Sequence, residues 1–215
     1  MSDYQILAQD IAQTNYETEK TNQSRAAKFY RDILIPKLES TIGSKCVKVQ
    51  WYEYDGPGGY QSNGIDGSFQ FENGMTLYFQ EKTHLRDTLA STTRWSTVWG
   101  DRSYAFEIVN HGGGIGWAGH IKNVNLLIIY YKDYVVVVNN ENLSRLTAIT
   151  THGEKIYNDW FESGRPEKHS VTINRVLYRV NTVRGGRSTS TTMITNLPES
   201  VITDQLECRI KTYKA

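Results

Sequence analysis

Residues 64–82 of this chain read GIDGSFQFENGMTLYFQEK, and their pattern decides the fold. Ser68–Phe71 and Met75–Phe79 alternate polar and apolar side chains, which is typical of β-strands. Between them lies Glu72-Asn73-Gly74, a sequence that favours a tight turn. The stretch therefore predicts a β-hairpin.

Two loop lengths are open for this hairpin, and they place the same side chains on opposite faces. A two-residue loop at Asn73-Gly74 pairs Asp66 with Glu81 and mixes apolar and polar side chains on each face. A three-residue loop that begins at Glu72 pairs Asp66 with Gln80 and separates the two kinds of side chain. Because a one-residue slip turns over a whole strand, the separating register is favoured. Its apolar face collects Ile65, Phe69, Phe71, Met75, Leu77 and Phe79.

The polar face of the favoured register brings together Asp66, Ser68, Gln80 and Lys82. The Asp66 carboxylate, the Gln80 amide oxygen and the backbone carbonyl of Glu81 are oxygen ligands of the kind that Mg²⁺ prefers. The Lys82 ammonium, two residues after Gln80, shares its face and can balance charge on a phosphate. The alternative is that these residues decorate the solvent-exposed end of a strand.

The chain has 215 residues and a net charge of +1, so overall charge does not indicate a nucleic-acid partner. Its basic residues nevertheless concentrate near the end, in a stretch where Glu167 is the single acid. Such a strip can follow a phosphate backbone, although a solvated strand face explains it equally well. The strip consists of Arg165, Lys168, Arg175, Arg179, Arg184 and Arg187.

The element pattern predicts one α/β domain over residues 1–215, with a central mixed β-sheet flanked by helices and residues 1–24 as a helical amino-terminal arm. No internal repeat or low-complexity linker divides it. The predicted helices are Ala26–Leu38, Glu141–Leu146, one that begins at Thr151 with a capping box to Glu154, and a last one from Asn196-Leu197-Pro198 through Ile202, Leu206 and Ile210. Further strands are predicted at 46–54, Ser103–Val109, Asn125–Tyr131, Tyr134–Asn139, Val171–Asn181 and Thr189–Ile194.

A glycine-rich stretch, Gly114–Gly119, matches G-x-G-x-x-G after a strand. Dinucleotide binding requires this loop to open a helix, and 120–124 leaves no room for one before the next strand. The stretch is therefore interpreted as a loop beside the site. Its neighbour His120 and His111 have no spacing that matches a zinc centre, so zinc is rejected.

The order of these features resembles the PD-(D/E)XK nuclease superfamily over roughly residues 25–147. The likeness lies in a helix, a strand, a hairpin that starts with Asp66, and Gln80-Glu81-Lys82 at the end of its second arm. A strand that ends in Glu107, a Gly116-Trp117 loop and an apolar strand pair then follow, as in small phage-type members. Gln80 departs from the commoner acid at that place, although some branches carry glutamine.

The resemblance implies a restriction-endonuclease-like core and Mg²⁺- or Mn²⁺-dependent hydrolysis of phosphodiester bonds, with DNA as the expected partner. It assigns Asp66, Gln80 and Glu81 to the metal and Lys82 to the attacking water, with Glu107 and His84 as additional candidates. The alternative is a lapsed nuclease fold that binds nucleic acid or a protein without cutting.

The expected location is the cytoplasm, or the host cytoplasm if a phage encodes the chain. The two cysteines lie far apart in the sequence, which favours reduced thiols. The beginning of the chain has no signal-peptide pattern, and its apolar runs are too short to span a bilayer. No membrane partner is expected.

Overall fold

The computed structural model describes residues 27–53, 56–83, 103–110, 114–130, 134–139, 143–165, 169–185, 188–198 and 209–214. Several sequence predictions fall outside these residues: the arm at 1–24, the role of His84, the basic side chains of Lys168 and Arg187, and the helical positions Ile202 and Leu206.

The first helix confirms its prediction and contains an irregular turn. A π-helical turn, Tyr30–Leu34, leads into α1, Ile35–Ile42, which places Pro36 near the start of the regular helix. Proline lacks an N–H and clashes with the carbonyl four residues earlier, so a widened turn immediately before it relieves both problems. The helix ends at Gly43, whose φ of 71° suits glycine.

The described strands form two sheets. In chain order they are β1 Cys46–Trp51, β2 Gly67–Phe71, β3 Thr76–Thr83, β4 Ser103–Val109, β5 Leu126–Tyr130, β6 Tyr134–Asn139, β7 His169–Ile173, β8 Val176–Gly185, β9 Ser188–Pro198 and β10 Arg209–Lys214. Sheet A has the order β1-β2-β3-β5-β6-β10, and sheet B has the order β4-β9-β8-β7. In sheet A, β3 and β5 are parallel and the other neighbours are antiparallel. A mixed sheet of the α/β class is thereby confirmed, and sheet B is an addition that the sequence did not predict.

The β2–β3 hairpin confirms the three-residue loop. Phe69 pairs with Leu77, and the Phe71 N–H donates to the Met75 carbonyl at 2.9 Å. Gly74 lies in the left-handed region with φ 83°, as this loop requires. Phe69, Phe71 and Phe79 are buried together, whereas Met75, beside the loop, is 44% exposed.

Sheet A has a core on each face. On one face the helix-side core joins the first helix to β2, β3, β5 and β6, through residues that include Tyr30, Leu34, Phe79 and Ile128. On the other face the inner core joins sheet A to sheet B and to α2, Leu143–Glu162. Sheet A therefore has the first helix against one face, and on the other face it shares a core with α2 and sheet B.

The α2 helix corrects the prediction of two separate helices. It runs without a break through Thr151 and Glu154, which were expected to cap a second helix. Leu146, Ile156 and Trp160 lie on its buried stripe, and Gly153 packs against Ile108 of β4. Because this stripe packs along the whole helix, tertiary contacts override the local capping signal.

The late strands of both sheets correct two further predictions. Val171–Asn181 is a hairpin, in which β7 and β8 are joined by Asn174 (φ 50°) and Arg175 (φ 65°), the positive pair that a type I′ turn requires. The last helix is wrong at both described ends. Asn196, Leu197 and Pro198 complete β9 against β4, while Ile210 belongs to β10 beside β6. A proline is tolerated there because it occupies the end of a strand.

No helix within the described parts of the chain is long and apolar enough to cross a membrane.

Candidate functional site

Asp66 and Lys82 meet at the open end of the β2–β3 hairpin. The Lys82 Nζ lies 3.9 Å from Asp66 Oδ2, and the two side chains are 29% and 19% exposed. The same oxygen accepts the Glu81 backbone N–H at 2.7 Å. Burial raises the pKa of the Asp66 carboxyl, while Lys82 and the Glu81 N–H oppose that rise. The carboxylate is thus held in a fixed position beside an ammonium group, as the hairpin register predicts.

Gln80 lies on the same face of sheet A, which we call the site face. Its side chain is 1% exposed, and Oε1 has no hydrogen-bond partner among the residues that the structure describes. A buried acceptor without a partner costs about 1–3 kcal/mol and calls for an explanation. One explanation is a ligand that supplies positive charge or a donor.

Gly64 is the point where three segments meet at the site. Its φ is 73°, and a Cβ added there would lie 2.4 Å from His120 Cβ and 2.7 Å from Gln80 Nε2. Only glycine fits, for both the conformation and the space. Gly64 therefore joins the loop before β2 to strand β3 and to the 3-10 helix Trp117–Asn123.

His120 and Glu154 are neighbours of the site that the sequence analysis did not assign to it. His120 is half-buried, and burial, followed by the charges of Lys122 and Lys82, lowers its pKa, while Glu154 opposes that effect. His120 is carried by the 3-10 helix Trp117–Asn123, which begins inside the glycine-rich stretch and includes most of 120–124, where the sequence analysis leaves no room for a helix. Glu154 lies on α2, near Gly119 of the 3-10 helix. The sequence signal near this helix is the glycine-rich stretch Gly114–Gly119, whose pattern is typical of dinucleotide binding and does not point to His120.

The Glu81 side chain leaves the site face, although Glu81 lies between Gln80 and Lys82 in the chain. Strand alternation points it toward the helix-side core, where its Oε1 accepts hydrogen bonds from the hydroxyls of Tyr30 and Tyr130. Burial raises the pKa of the Glu81 carboxyl despite these bonds. Glu81 therefore contributes to the site through its backbone, and its carboxylate lies across the sheet from Asp66.

Glu107 and the basic residues are not brought to the site face. Phe106 and Ile108 of β4 point into the inner core, so Glu107 between them points to the opposite face of sheet B. Arg179 is exposed on β8, between Tyr178 and Val180 of the same core, and also points away. Arg175 is in the β7–β8 turn, and Arg165 follows α2 with its guanidinium 3.8 Å above the Phe161 ring. Arg184 is the next-to-last residue of β8, and its side chain is outside the described set.

The donors on the site face suit a hard cation with few protein ligands. Asp66 offers a carboxylate and Gln80 an unpartnered amide oxygen, both of the type that Mg²⁺ and Mn²⁺ bind. Within the described ranges, three or more His, Cys, Asp or Glu side chains do not converge at metal-binding distance. Mg²⁺ commonly keeps several waters and takes only one or two carboxylates, so this smaller donor set fits such an ion.

A scan against protein-family models finds no match for this chain, and searches of curated proteins and of solved structures find no significant match.

Proposed function

We propose that this chain is a divalent-metal-dependent nuclease that hydrolyses phosphodiester bonds of DNA. The observation that carries the proposal is the placement of the Lys82 ammonium 3.9 Å from the Asp66 carboxylate, on the face that also holds the unpartnered Gln80 oxygen. A salt bridge alone would account for two of these groups but leaves the buried acceptor unexplained.

The roles of the protein groups follow from their chemistry. Asp66 and Gln80 Oε1, with the Glu81 carbonyl, would hold Mg²⁺ or Mn²⁺, which when bound supplies a Lewis acid and lowers the pKa of its water. The Glu81 N–H fixes the Asp66 carboxylate before any ligand arrives. Lys82 would orient the attacking water or balance charge on the scissile phosphate. Since burial raises the pKa of Asp66, cation binding there should strengthen as pH rises.

The order of elements in sheet A supports the proposal independently of the site. A helix precedes β1, the β2–β3 hairpin follows it, and the next strand of the sheet, β5, lies parallel to β3. The resemblance to the PD-(D/E)XK superfamily leads one to expect a helix and a further strand after the hairpin, and here β4 of sheet B and a 3-10 helix precede β5.

A second candidate function is nucleic-acid binding without cleavage. It is favoured by the neutral Gln80 at a position where an acid would strengthen cation binding, and by the small donor set among the described side chains. In that case Lys82 and Asp66 would be a structural pair.

The test of catalysis is cleavage of duplex, branched and single-stranded DNA with Mg²⁺ or Mn²⁺ by the wild type, Lys82→Ala and a matched control, Lys48→Ala. Lys48 is an exposed lysine of β1 in the same sheet. We expect K82A to cut at least about 100-fold more slowly, the usual loss for one electrostatic group at a reacting centre, and K48A to cut normally. Undiminished cleavage by K82A would show that the site is elsewhere.

Calorimetry separates the two candidate functions. Under the nuclease proposal, Mn²⁺ titrated into the wild type gives a binding heat that Asp66→Asn abolishes. DNA binding without any heat that depends on Asp66, together with no cleavage, would support the second candidate and overturn the first.

A further inference from the structure

Glu81 links the site to the core on the opposite face of sheet A. Its carboxyl oxygen Oε1 accepts hydrogen bonds from the hydroxyls of Tyr30 and Tyr130 on the helix side. Its backbone N–H donates to Asp66 Oδ2 at 2.7 Å, at the open end of the hairpin. The two tyrosine hydroxyls are therefore connected to the Asp66 carboxylate through a single residue of β3.

The end of β3 depends on these contacts because the regular pairing with β2 stops before it. The last residues that pair there are Gly67 and Phe79. Beyond them, the Asp66 N–H donates to the Phe79 carbonyl at 2.9 Å, and the Asp66 side chain accepts the Glu81 N–H further along β3. On its other edge Glu81 pairs with Ile128 of β5. A side chain thus replaces strand pairing at the point where the site lies.

The two tyrosines are themselves fixed in the helix-side core. Both are buried; Tyr30 begins the π-helical turn, and Tyr130 ends β5. The Tyr30 ring stacks on Trp51 with centroids 5.9 Å apart, and it lies edge-on to Phe79 at 5.8 Å. Closely packed rings leave their hydroxyls little freedom, so the Glu81 side chain is held from two separate elements.

A polar network in this core calls for an explanation other than packing. Phe69 and Phe79, which are fully buried, lie against the Tyr30 ring. An apolar side chain at position 81 would suit such surroundings without the cost of desolvating a carboxyl group, and replacing a buried charged network in this way is often neutral or stabilising. What the network does fix is the backbone of Glu81 beside Asp66.

We propose that Tyr30 and Tyr130 are positioning residues of the site, which hold the Glu81 backbone and thereby fix the Asp66 carboxylate where it binds the cation. This inference rests on the proposed function and adds to the site two residues from the opposite face of the sheet. The same stretch of backbone carries the Glu81 carbonyl, the third proposed ligand. Outer partners that orient metal ligands are worth about 10- to 100-fold in metal affinity.

The test is Mn²⁺ binding to the full chain by calorimetry. The double variant Tyr30→Phe, Tyr130→Phe removes two hydroxyls and leaves every charge and ring, and it should raise the Mn²⁺ Kd about 10- to 100-fold. Each single variant should shift the Kd in the same direction. The matched control is Tyr178→Phe, a buried ring of the inner core, which should keep the wild-type Kd. Saturating Mn²⁺ should restore DNA cleavage by the double variant, because the proposed catalytic groups are unchanged.

A merely structural role would give a different result. Loss of stability alone raises the apparent Kd by the inverse of the folded fraction, so the effect vanishes at a temperature where the melting curve shows the variant fully folded. A wild-type Mn²⁺ Kd for the single and double variants under that condition would overturn the inference.

Amide hydrogen exchange separates failure of this inference from failure of the proposed function. Loss of the tyrosine hydroxyls should speed exchange of the Glu81 N–H. The Phe71 N–H, which is bonded to the Met75 carbonyl at the other end of the hairpin, should exchange as in the wild type. If the wild type binds no Mn²⁺, the proposed function fails, and faster exchange at Glu81 alone still supports the hold on Asp66. Unchanged exchange at Glu81 overturns the inference whether or not Mn²⁺ binds.

Discussion

The contact around Gly64 gives the sharpest test of how the site is assembled. Replacing Gly64 with alanine places a Cβ 2.4 Å from His120 Cβ and 2.7 Å from Gln80 Nε2, where real side chains do not approach. The His120 Cβ is fixed to the backbone of the 3-10 helix, so relief requires that segment or the loop to move. Gly64→Ala should therefore destabilise the protein for two separate reasons, conformation and crowding.

Gly43 provides a matched control for the part of the destabilisation that comes from the left-handed backbone conformation. Its φ of 71° is nearly that of Gly64 (73°), yet a Cβ at Gly43 would meet nothing within 4 Å. The left-handed conformation costs alanine about 1–2 kcal/mol in both variants. Crowding adds about 1–3 kcal/mol in G64A alone. For a chain of this size, G64A should melt about 2–12 °C below G43A.

The measurement is thermal unfolding of G64A and G43A, together with two further variants that carry asparagine at the same positions. Asparagine tolerates the left-handed region, so Gly43→Asn should recover most of the lost stability, while Gly64→Asn should not, because crowding depends on the Cβ. Equal melting temperatures for G64A and G43A would refute the close approach. His120 and Gln80 would then not meet beside the loop, and the site geometry would be wrong.

Two further predictions concern the carboxyl group on the opposite face of β3. Tyr130→Phe removes a 2.9 Å hydrogen bond to Glu81 and should lower the free energy of unfolding in urea by about 1.5–3 kcal/mol. The control is Tyr178→Phe, because Tyr178 is a buried ring whose hydroxyl has no described protein partner. It should lower the free energy of unfolding by less than about 0.5 kcal/mol. Equal costs would contradict the bond. Burial raises the pKa of Glu81 in the folded protein. The contribution of this carboxyl group to the free energy of unfolding is therefore complete below its unfolded pKa of about 4.3, and it is lost as the pH rises through the higher folded pKa. The stability of Glu81→Gln relative to wild type should therefore increase with pH above about 4.3, and parallel pH profiles would exclude that effect.

The hairpin was predictable because one physical rule decides it. Strand side chains alternate, so the register that buries Phe69 and Phe79 together also fixes which face Asp66, Gln80 and Lys82 share. The prediction needed no knowledge of any other part of the chain. The same alternation turns the Glu81 side chain to the opposite face, so Glu81 can reach the site only through its backbone, the part that the sequence analysis assigned to the metal.

The remaining parts of the site depend on contacts between segments that are distant in the chain, and local sequence patterns do not predict such contacts. The capping signal at Thr151 and Glu154 is real at the level of sequence, but packing against β4 and β8 makes one helix of the whole segment. Likewise, the apolar spacing that ends at Ile210 fits a helix, yet pairing with β6 makes it part of a strand. His120 reaches the site because a glycine at position 64 leaves room for it.

The charges of Glu81 and Lys82, at the end of β3, also favour the observed register. A slip to the two-residue loop would place the Glu81 carboxylate beside Asp66 and turn Lys82 toward the rings of Tyr30 and Tyr130. Two carboxylates at one site repel each other, and an ammonium in an aromatic core loses several kcal/mol of hydration. In the observed register Lys82 pairs with Asp66, and two tyrosine hydroxyls stabilise Glu81. The order Gln-Glu-Lys thus specifies the strand alignment through electrostatics as well as through burial, which explains why an acidic residue stands between two site residues without joining them.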